Sequence, residues 1–366
     1  MKRLAAFSLL FSLCAAASLS PQLVTFKRTH TIDLTHKSKN GHFQHSYQDF
    51  YEEGFMIGSQ FRVGFWILDT TTDKMTVATC PKNLTDALNS KLNCFNPAKS
   101  ETFVKTSETS GIDYVMPFSR EYVNMTQEFS LIPFGQVTPN MNGIVGMNWP
   151  VNEPTSFKPF PTNMLSHFDK NMFTLAFSNT ACQSFVKFGD LLPYSQCHND
   201  EIKYAPVTST SNWQFALTGF QFGPVNDFSH SQAIVASATG YIGLPGKQLK
   251  RMMQFAQIPW NATVGAYVTA CNRTDLPDFK FSAAGSTLTI PASQYLYQQQ
   301  PLHPYGSNRC VVNFEDSDSS GFGPQWYFGH PLMGSYCVNF DFDGKRIGFS
   351  PNTIATDMMC TDAGDQ

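Results

Sequence analysis

The chain has 366 residues, of which 42% are hydrophobic and 14% aromatic, so it can bury a large core in one or two domains. Charged residues make up 14%, and the formal net charge is only −3. This balance gives no electrostatic basis for binding nucleic acid or an anionic membrane surface.

The first residues have the pattern of a secretory signal peptide. Lys2 and Arg3 precede an apolar run over residues 4–13, and small residues follow at 14–17. We therefore expect residues 1–18 to be removed and the mature protein to be soluble. It would be extracellular, or in the lumen of the secretory pathway or lysosome. The alternative is an N-terminal anchor helix, although the run is short for a membrane span.

Residues 19–48 form a polar leader without clear periodicity, in which basic residues mix with histidines. A short propeptide that neutralises an acidic cleft, a flexible arm and an edge strand are the alternatives. The spacing of His42 and His45 would suit a metal ion, but a solvated leader is the simpler interpretation. We predict no metal site and no cofactor.

From residue 55 onward, short apolar strands alternate with turns rich in Gly, Pro and Asn. Strands are predicted at 61–67, 129–134, 173–177 and 185–188, and Asp343-Gly344 predicts a hairpin near the C-terminus. Helical spacing occurs only over 161–168 and 245–256. The pattern predicts an all-β fold of two β lobes, 49–192 and 193–356, with few short helices and a tail over 357–366.

One arrangement of residues occurs twice. The runs 67–72 and 234–239 are each an apolar strand that ends in a small polar loop, and each is followed by an apolar pair closing on glycine, at 143–147 and 326–330. Two similar lobes that meet at these loops would explain the repeat. The copies differ in that the first loop carries Asp69 and the second carries Ala236.

Cysteines and sequons fit an oxidising compartment. Without Cys14, eight cysteines remain, and their spacing suggests that sequence neighbours pair: Cys80–Cys94, Cys182–Cys197, Cys271–Cys310 and Cys337–Cys360. Four Asn-x-Ser/Thr sequons predict N-glycosylation at Asn83, Asn124, Asn261 and Asn272.

The segment from Tyr51 to Pro351 resembles the pepsin-like aspartic proteases. The likeness is carried by residues 67–70 and 142–146, by the lead-in 233–235, by Cys271 and Cys310, and by 326–329 followed by 338–349. The resemblance implies a bilobal fold with a central cleft. It also implies two catalytic carboxylates, one from each lobe, which share a proton over one water because two like charges so close cannot both ionise.

The sequence departs from that family's pattern at both signatures. Ala236 stands at the position of the second aspartate, and Thr71 and Ala238 stand at the glycines. We expect the Cβ of Thr71 to intrude near the Asp69 carboxylate. Without a partner acid, Asp69 should be an ordinary ionised carboxylate at neutral pH.

Other residues should line the cleft. Thr70 and Ser237 would provide paired hydroxyl support between the lobes, beside Thr71 and Thr239. Tyr114 resembles the tyrosine of the family's flap hairpin, although residues 115–117 lack the usual glycines. Thr76 stands where the family has a tryptophan.

The resemblance, with Ala236, predicts a secreted, monomeric homologue that binds a peptide or protein in its cleft without catalysis. One alternative is an active or weakly active aspartic endopeptidase, with a substitute acid supplied by Asp73 or Asp227. Another is a structural or inhibitory secreted protein in which the cleft plays no part.

Overall fold

The computed structural model describes residues 22–33, 46–81, 94–117, 125–134, 141–150, 158–178, 184–297, 308–319 and 323–354. The described residues form 26 strands, four short α-helices and two 3₁₀ turns. The all-β class is therefore confirmed. Several predicted features lie outside the described residues: the signal peptide, His42, His45, Asn83, Asn124, Cys182 and Cys360.

Ten of the described strands belong to the N-terminal half of the chain. Their bounds are β1 Gln22–Asp33, β2 Ser46–Ile57, β3 Gln60–Asp69, β4 Thr76–Thr79, β5 Val104–Ser107, β6 Ser110–Pro117, β7 Met125–Pro133, β8 Met141–Gly146, β9 Met172–Ala176 and β10 Ser184–Phe188.

Sixteen described strands follow in the C-terminal half. They are β11 Lys203–Ser209, β12 Gln214–Leu217, β13 Gly219–Phe222, β14 Val225–Asp227, β15 Ser231–Val235, β16 Ile242–Leu244, β17 Trp260–Asn261, β18 Ala266–Ala270, β19 Phe279–Ala283, β20 Ser286–Ile290, β21 Leu296–Tyr297, β22 Arg309–Val312, β23 Phe314–Asp316, β24 Trp326–Phe328, β25 Tyr336–Asp341 and β26 Arg346–Pro351.

The described helices are short and pack apolar faces on the sheets. They are α1 Phe160–Leu165, α2 Gly246–Phe255, α3 Ala292–Tyr295 and α4 His330–Ser335, and the 3₁₀ turns are Pro97–Lys99 and Asn199–Glu201. Helices α1 and α2 confirm the two predicted from helical spacing, and the hairpin β25–β26 confirms the turn at Asp343-Gly344. No helix in the described part of the chain is long and apolar enough to cross a membrane.

The sequence repeat corresponds to a repeat in strand pairing. In the N-terminal lobe β3 runs parallel to β8, and β4 pairs antiparallel with β8 and parallel with β7. In the C-terminal lobe β15 runs parallel to β24, and β16 pairs antiparallel with β24 and parallel with β23. Each apolar run therefore lies beside the apolar pair that closes on glycine, as the repeat predicts.

A sheet built from both halves of the chain joins the lobes, in the order β1, β10, β9, β25, β26, β11. Aromatic rings cover it: Trp213 packs against Phe340 and Phe342 with ring centres 5.0 and 4.8 Å apart, and Phe173 stacks on Phe340. Strand β1, from the polar segment 19–48, is part of this sheet. Its second half pairs with β2 instead.

Three disulfides are formed among the described residues, and one of them corrects the predicted pairing. Cys80–Cys94 and Cys271–Cys310 join sequence neighbours as expected. Cys197, however, is bonded to Cys337, so the predicted pairs Cys182–Cys197 and Cys337–Cys360 are wrong. The reason is strand adjacency. Cys197 forms a β-bridge with Asn352 and Cys337 pairs with Ser350, so both cysteines lie beside the C-terminal end of β26.

Candidate active site

Two loops meet at the centre of the molecule, the first loop (residues 69–73) after β3 and the second loop (residues 236–240) after β15. Four hydrogen bonds of nearly two-fold symmetry join them. Thr70 N–H donates to Ser237 Oγ at 2.9 Å, and Ser237 N–H donates to Thr70 Oγ1 at 3.0 Å. The Thr70 hydroxyl then donates to Val235 O at 2.8 Å, and the Ser237 hydroxyl to Leu68 O at 2.6 Å. The paired hydroxyl support predicted for Thr70 and Ser237 is therefore present, and both residues are fully buried.

A glycine packs against each loop, and the loop backbone lies so close to it that no side chain would fit there. A Cβ on Gly146 would lie 2.6 Å from the backbone N and O of Lys74, and one on Gly329 would lie 2.0 Å from Thr239 O. The residues after these glycines close the loops, since Met147 N–H donates to Asp69 O and His330 N–H donates to Thr239 O. Thr239 thus contributes its carbonyl to the support of the second loop.

Among the described residues, the hydrogen bonds to the Asp69 carboxylate come from within its own loop. Its Oδ1 accepts hydrogen bonds from the amide of Thr71 at 2.8 Å and from the hydroxyl of Thr71 at 2.6 Å. The expectation that Thr71 would intrude is wrong. The side chain of Thr71 is exposed and serves as a donor, and Thr71 is not among the described non-glycine residues with positive φ.

Burial raises the pKa of Asp69 above its ordinary value of 3.8, and the two hydrogen bonds from Thr71 offset only part of that shift. The expectation of an ordinary carboxylate is therefore wrong as well. That expectation considered only the missing negative charge of a partner acid. Removal of the Asp69 carboxylate from water disfavours its ionised form even without a second charge.

At the second loop, no side chain can exchange a proton where the partner acid would stand. Ala236 is 2% exposed, and its backbone N–H donates to Phe328 O at 2.9 Å. Its carbonyl accepts from Thr239 N–H at 3.0 Å. Both backbone groups of Ala236 are thus hydrogen-bonded, although its methyl side chain carries no acid.

Neither candidate substitute acid takes the place of a second carboxylate. Asp73 belongs to the same loop as Asp69, so it cannot approach from the other lobe. Asp227 ends β14, where its Oδ1 accepts from Ser229 N–H and its Oδ2 from Gln248. Those hydrogen bonds lower the pKa of Asp227, which is typical of an anchored surface carboxylate.

Tyr114 lies in the hairpin of β6 and β7, opposite Thr126, and its side chain is 46% exposed. The neighbouring Asp113 is buried and accepts hydrogen bonds from Ser100 and Thr102, which fixes the strand at that point. Residues 118–124, which connect β6 to β7 in the sequence, lie outside the described residues. Thr76 accepts a hydrogen bond from Ile144 N–H at 3.3 Å and so ties β4 to β8.

Two further residues that hold the lobes together were not predicted from the sequence. Trp213 donates from its indole N–H to Met147 O at 2.9 Å, directly behind the first loop. The amide of Asn148 donates to Ser211 O at 3.0 Å. Asn148 directly follows the repeat segment 143–147. This position beside the repeat is the sequence signal that could have identified Asn148.

Of the predicted glycosylation sites, Asn261 and Asn272 lie in the described residues. Asn272 is exposed, and Asn261 uses its Oδ1 to accept from the amides of Thr263 and Val264, which fixes a turn. Their modification stays a prediction. Among the described residues, no group of three His, Cys, Asp or Glu side chains could hold a metal ion.

Sequence comparison with known proteins identifies the family of this chain. The sequence profile described as "Eukaryotic aspartyl protease" matches residues 55–352. The chain belongs to the eukaryotic aspartyl protease family. Aspartic protease 1 of Caenorhabditis elegans is 23% identical over 335 residues, which cover 83% of this chain and 82% of that protein. Pepsin A of Gallus gallus is 26% identical over 279 residues, covering 70% and 72%. Aspartic protease 17 of Caenorhabditis elegans is 23% identical over 215 residues, covering 57% and 54%.

Proposed function

We propose that this member of the eukaryotic aspartyl protease family is a secreted protein that binds a peptide or protein segment in its cleft and does not cleave it. The observation that carries the proposal is Ala236 on an intact second loop. Proteolysis by a carboxylate pair needs one ionised acid to take a proton from water and one neutral acid to give a proton to the scissile carbonyl. Here Asp69 has no such partner.

The magnitude of the loss supports the same conclusion. Removing a positioned acid or base costs a factor of about 10²–10⁴ in rate, and removing half of a coupled pair belongs in the upper part of that range. The scaffold has not decayed in parallel, because the four hydrogen bonds between Thr70 and Ser237 and their neighbours are all formed. An intact pair of loops without an acid pair favours binding over turnover.

The first experiment measures cleavage of an unfolded protein at acidic pH, with and without the transition-state inhibitor pepstatin. We expect no turnover that pepstatin suppresses. The variant Asp69→Asn is the control for contaminating protease, since any activity that survives it does not come from this site. Pepstatin-sensitive turnover that disappears in Asp69→Asn would refute the proposal and establish an active endopeptidase.

The second experiment restores the missing acid. Ala236→Asp should recover measurable pepstatin-sensitive proteolysis, because the loop backbone around residue 236 is already hydrogen-bonded without help from its side chain. Adding Thr71→Gly tests whether the Thr71 hydroxyl bond to Asp69 hinders the restored pair. The double variant Ala236→Asp with Asp69→Asn is the control and should be inactive.

A further inference from the structure

A surface groove of the C-terminal lobe lies beside one of the predicted glycosylation sites. After helix α2 the chain forms the hairpin of β17 and β18, which β22 extends. Two neighbouring cavities share Pro259 and Trp260 in their walls, one of about 530 Å³ and one of about 330 Å³. We call the smaller one the Asn261 cavity, and it is lined by Pro259, Trp260, Asn261, Ala262, Val268 and Arg309. Its volume lies within the range of small-molecule sites, about 300–1,000 Å³.

Trp260 gives this cavity an exposed aromatic wall. Its side chain is 42% exposed, whereas the other four tryptophans of the chain are each at most 7% exposed. An edge contact with Tyr267, at 5.1 Å between ring centres, holds the indole in place. Pro259 and Ala262 on either side are exposed as well, so the apolar surface is continuous. A continuous exposed apolar surface in the wall of a cavity indicates a place that another group covers.

The side chain of Asn261 is fixed through its carbonyl oxygen only. Oδ1 accepts hydrogen bonds from the amides of Thr263 at 3.0 Å and Val264 at 3.1 Å, and the backbone carbonyl of Asn261 accepts from Gly265 N–H at 2.7 Å. The amide nitrogen Nδ2 donates to no described residue. N-glycosylation joins a sugar to Nδ2 and keeps Oδ1, so the modification leaves both bonds of the turn intact.

Arg309 adds hydrogen-bond donors to the same cavity. It lies on β22 opposite Ala270, and its guanidinium forms no hydrogen bond or ion pair with the described part of the chain. A guanidinium carries five N–H donors in a fixed plane. The cavity therefore combines an aromatic face with a group of donors. This combination suits an N-acetylated sugar, because its ring C–H groups form an apolar face and its hydroxyl and acetamide oxygens accept hydrogen bonds.

We propose that the Asn261 cavity holds the first N-acetylglucosamine of a glycan attached to Asn261, with the sugar ring packed on the Trp260 indole and within reach of Arg309. The attachment point selects this occupant, since Asn261 itself lines the cavity and a sugar joined to its side chain begins there. In the transfer, the C1–O bond of a lipid-linked diphosphate sugar breaks and the C1–Nδ2 bond forms. The diphosphate leaves with the bonding electrons, and Nδ2 loses one proton.

Asn272 provides a comparison within the same lobe. Its side chain is exposed, its Oδ1 accepts from Asn308 at 3.4 Å, and it lines neither cavity of the groove. A glycan on Asn272 should therefore extend into solvent, whereas a glycan on Asn261 should cover Trp260. The proposal needs the secretion that belongs to the function proposed above, but it does not depend on peptide binding or on the absence of catalysis.

The direct test uses the full chain secreted by a cell line that makes oligomannose glycans, with the occupancy of Asn261 measured by mass spectrometry of glycopeptides. Acrylamide quenching of tryptophan fluorescence then reports on Trp260, which holds most of the exposed tryptophan surface. An endo-β-N-acetylglucosaminidase leaves the first sugar on asparagine and should not change the quenching. A peptide-N-glycosidase removes every sugar and should raise the quenching constant about 1.5-fold or more. An unoccupied Asn261, or equal quenching before and after complete removal, would overturn the proposal.

Variants locate the effect at one glycan. Thr263→Ala removes the sequon but keeps Asn261 and the backbone N–H that Thr263 donates to it, so it should be quenched like the fully deglycosylated protein. Thr263→Ser keeps the sequon and should behave like wild type. Thr274→Ala is the matched control, because it removes only the sequon of Asn272 and should leave the quenching unchanged.

Two results with these variants would refute the proposal. One is equal quenching in Thr263→Ala and glycosylated wild type. The other is protection of Trp260 in Thr263→Ala that grows with protein concentration, which would mean that a second copy of the chain covers the groove. Pepstatin-sensitive proteolysis would refute the proposed function but would not alter the expected quenching, so the two proposals fail separately.

Discussion

Replacing Thr70 by valine should be strongly destabilising, although the two side chains have the same shape. Valine cannot accept from Ser237 N–H or donate to Val235 O, and both bonds lie in a fully buried place. A buried polar group that loses its partner costs about 1–3 kcal/mol, so two such groups predict a loss of about 2–6 kcal/mol in the free energy of unfolding.

The measurement is equilibrium unfolding in urea, followed by tryptophan fluorescence, with Trp213 next to the loops as the reporter. Thr126→Val is the matched control, because Thr126 is exposed on β7 and its substitution should change stability by less than about 0.5 kcal/mol. Thr70→Ser keeps the hydroxyl and should recover most of the loss. A Thr70→Val variant no less stable than Thr126→Val would refute the role given to these hydrogen bonds.

A double-mutant cycle separates the contribution of the pair. Thr70 and Ser237 share two of the four hydrogen bonds, so the effects of Thr70→Val and Ser237→Ala should not add. We expect a coupling energy of about 1–3 kcal/mol. Additive effects would mean that each side chain acts through separate contacts.

The remaining predictions concern the disulfides and Asp69. In the chain-entropy account, the Cys197–Cys337 bond closes a loop of 140 residues and should contribute about 5 kcal/mol to the free energy of unfolding, against about 3 kcal/mol for the 14-residue loop of Cys80–Cys94. Urea unfolding of the two Cys→Ser double variants checks this order. A larger loss of stability on removing Cys80–Cys94 would contradict it. Because the pKa of Asp69 is raised on folding, the unfolded chain ionises first as pH rises above about 3.8, and this group lowers stability until the native pKa is passed. Asp69→Asn should remove that decline and be at least as stable as wild type at pH 7, whereas an equal decline between pH 3 and pH 7 in both proteins would show that other groups cause it.

The repeat was predictable because it depends on local patterns. An apolar strand that ends in a polar loop, and an apolar pair followed by glycine, can both be recognised from the order and type of neighbouring residues. The close approach of backbone to Gly146 and Gly329 explains why a glycine follows the apolar pair in both copies of the repeat. The paired hydroxyls of Thr70 and Ser237 follow from the same symmetry.

What could not be predicted depends on packing between distant segments. Cys197 and Cys337 meet only because both lie beside the end of β26. The spacing of cysteines in the sequence carries no information about this strand pairing. The pKa of Asp69 depends on how much protein surrounds it, whereas a comparison of charges alone predicted no shift.

Strand β1 has a consequence for any processing of the leader. Its first half adds five residue pairs to β10, and its second half adds seven residue pairs to β2, so a single strand borders both the sheet that joins the lobes and the sheet of the N-terminal lobe. A cut between residues 33 and 46 would sever the chain but leave both ladders intact. The product would be a nicked protein of two polypeptides held by strand pairing. Release of β1 would expose unpaired N–H and C=O groups on two strand edges, which favours aggregation.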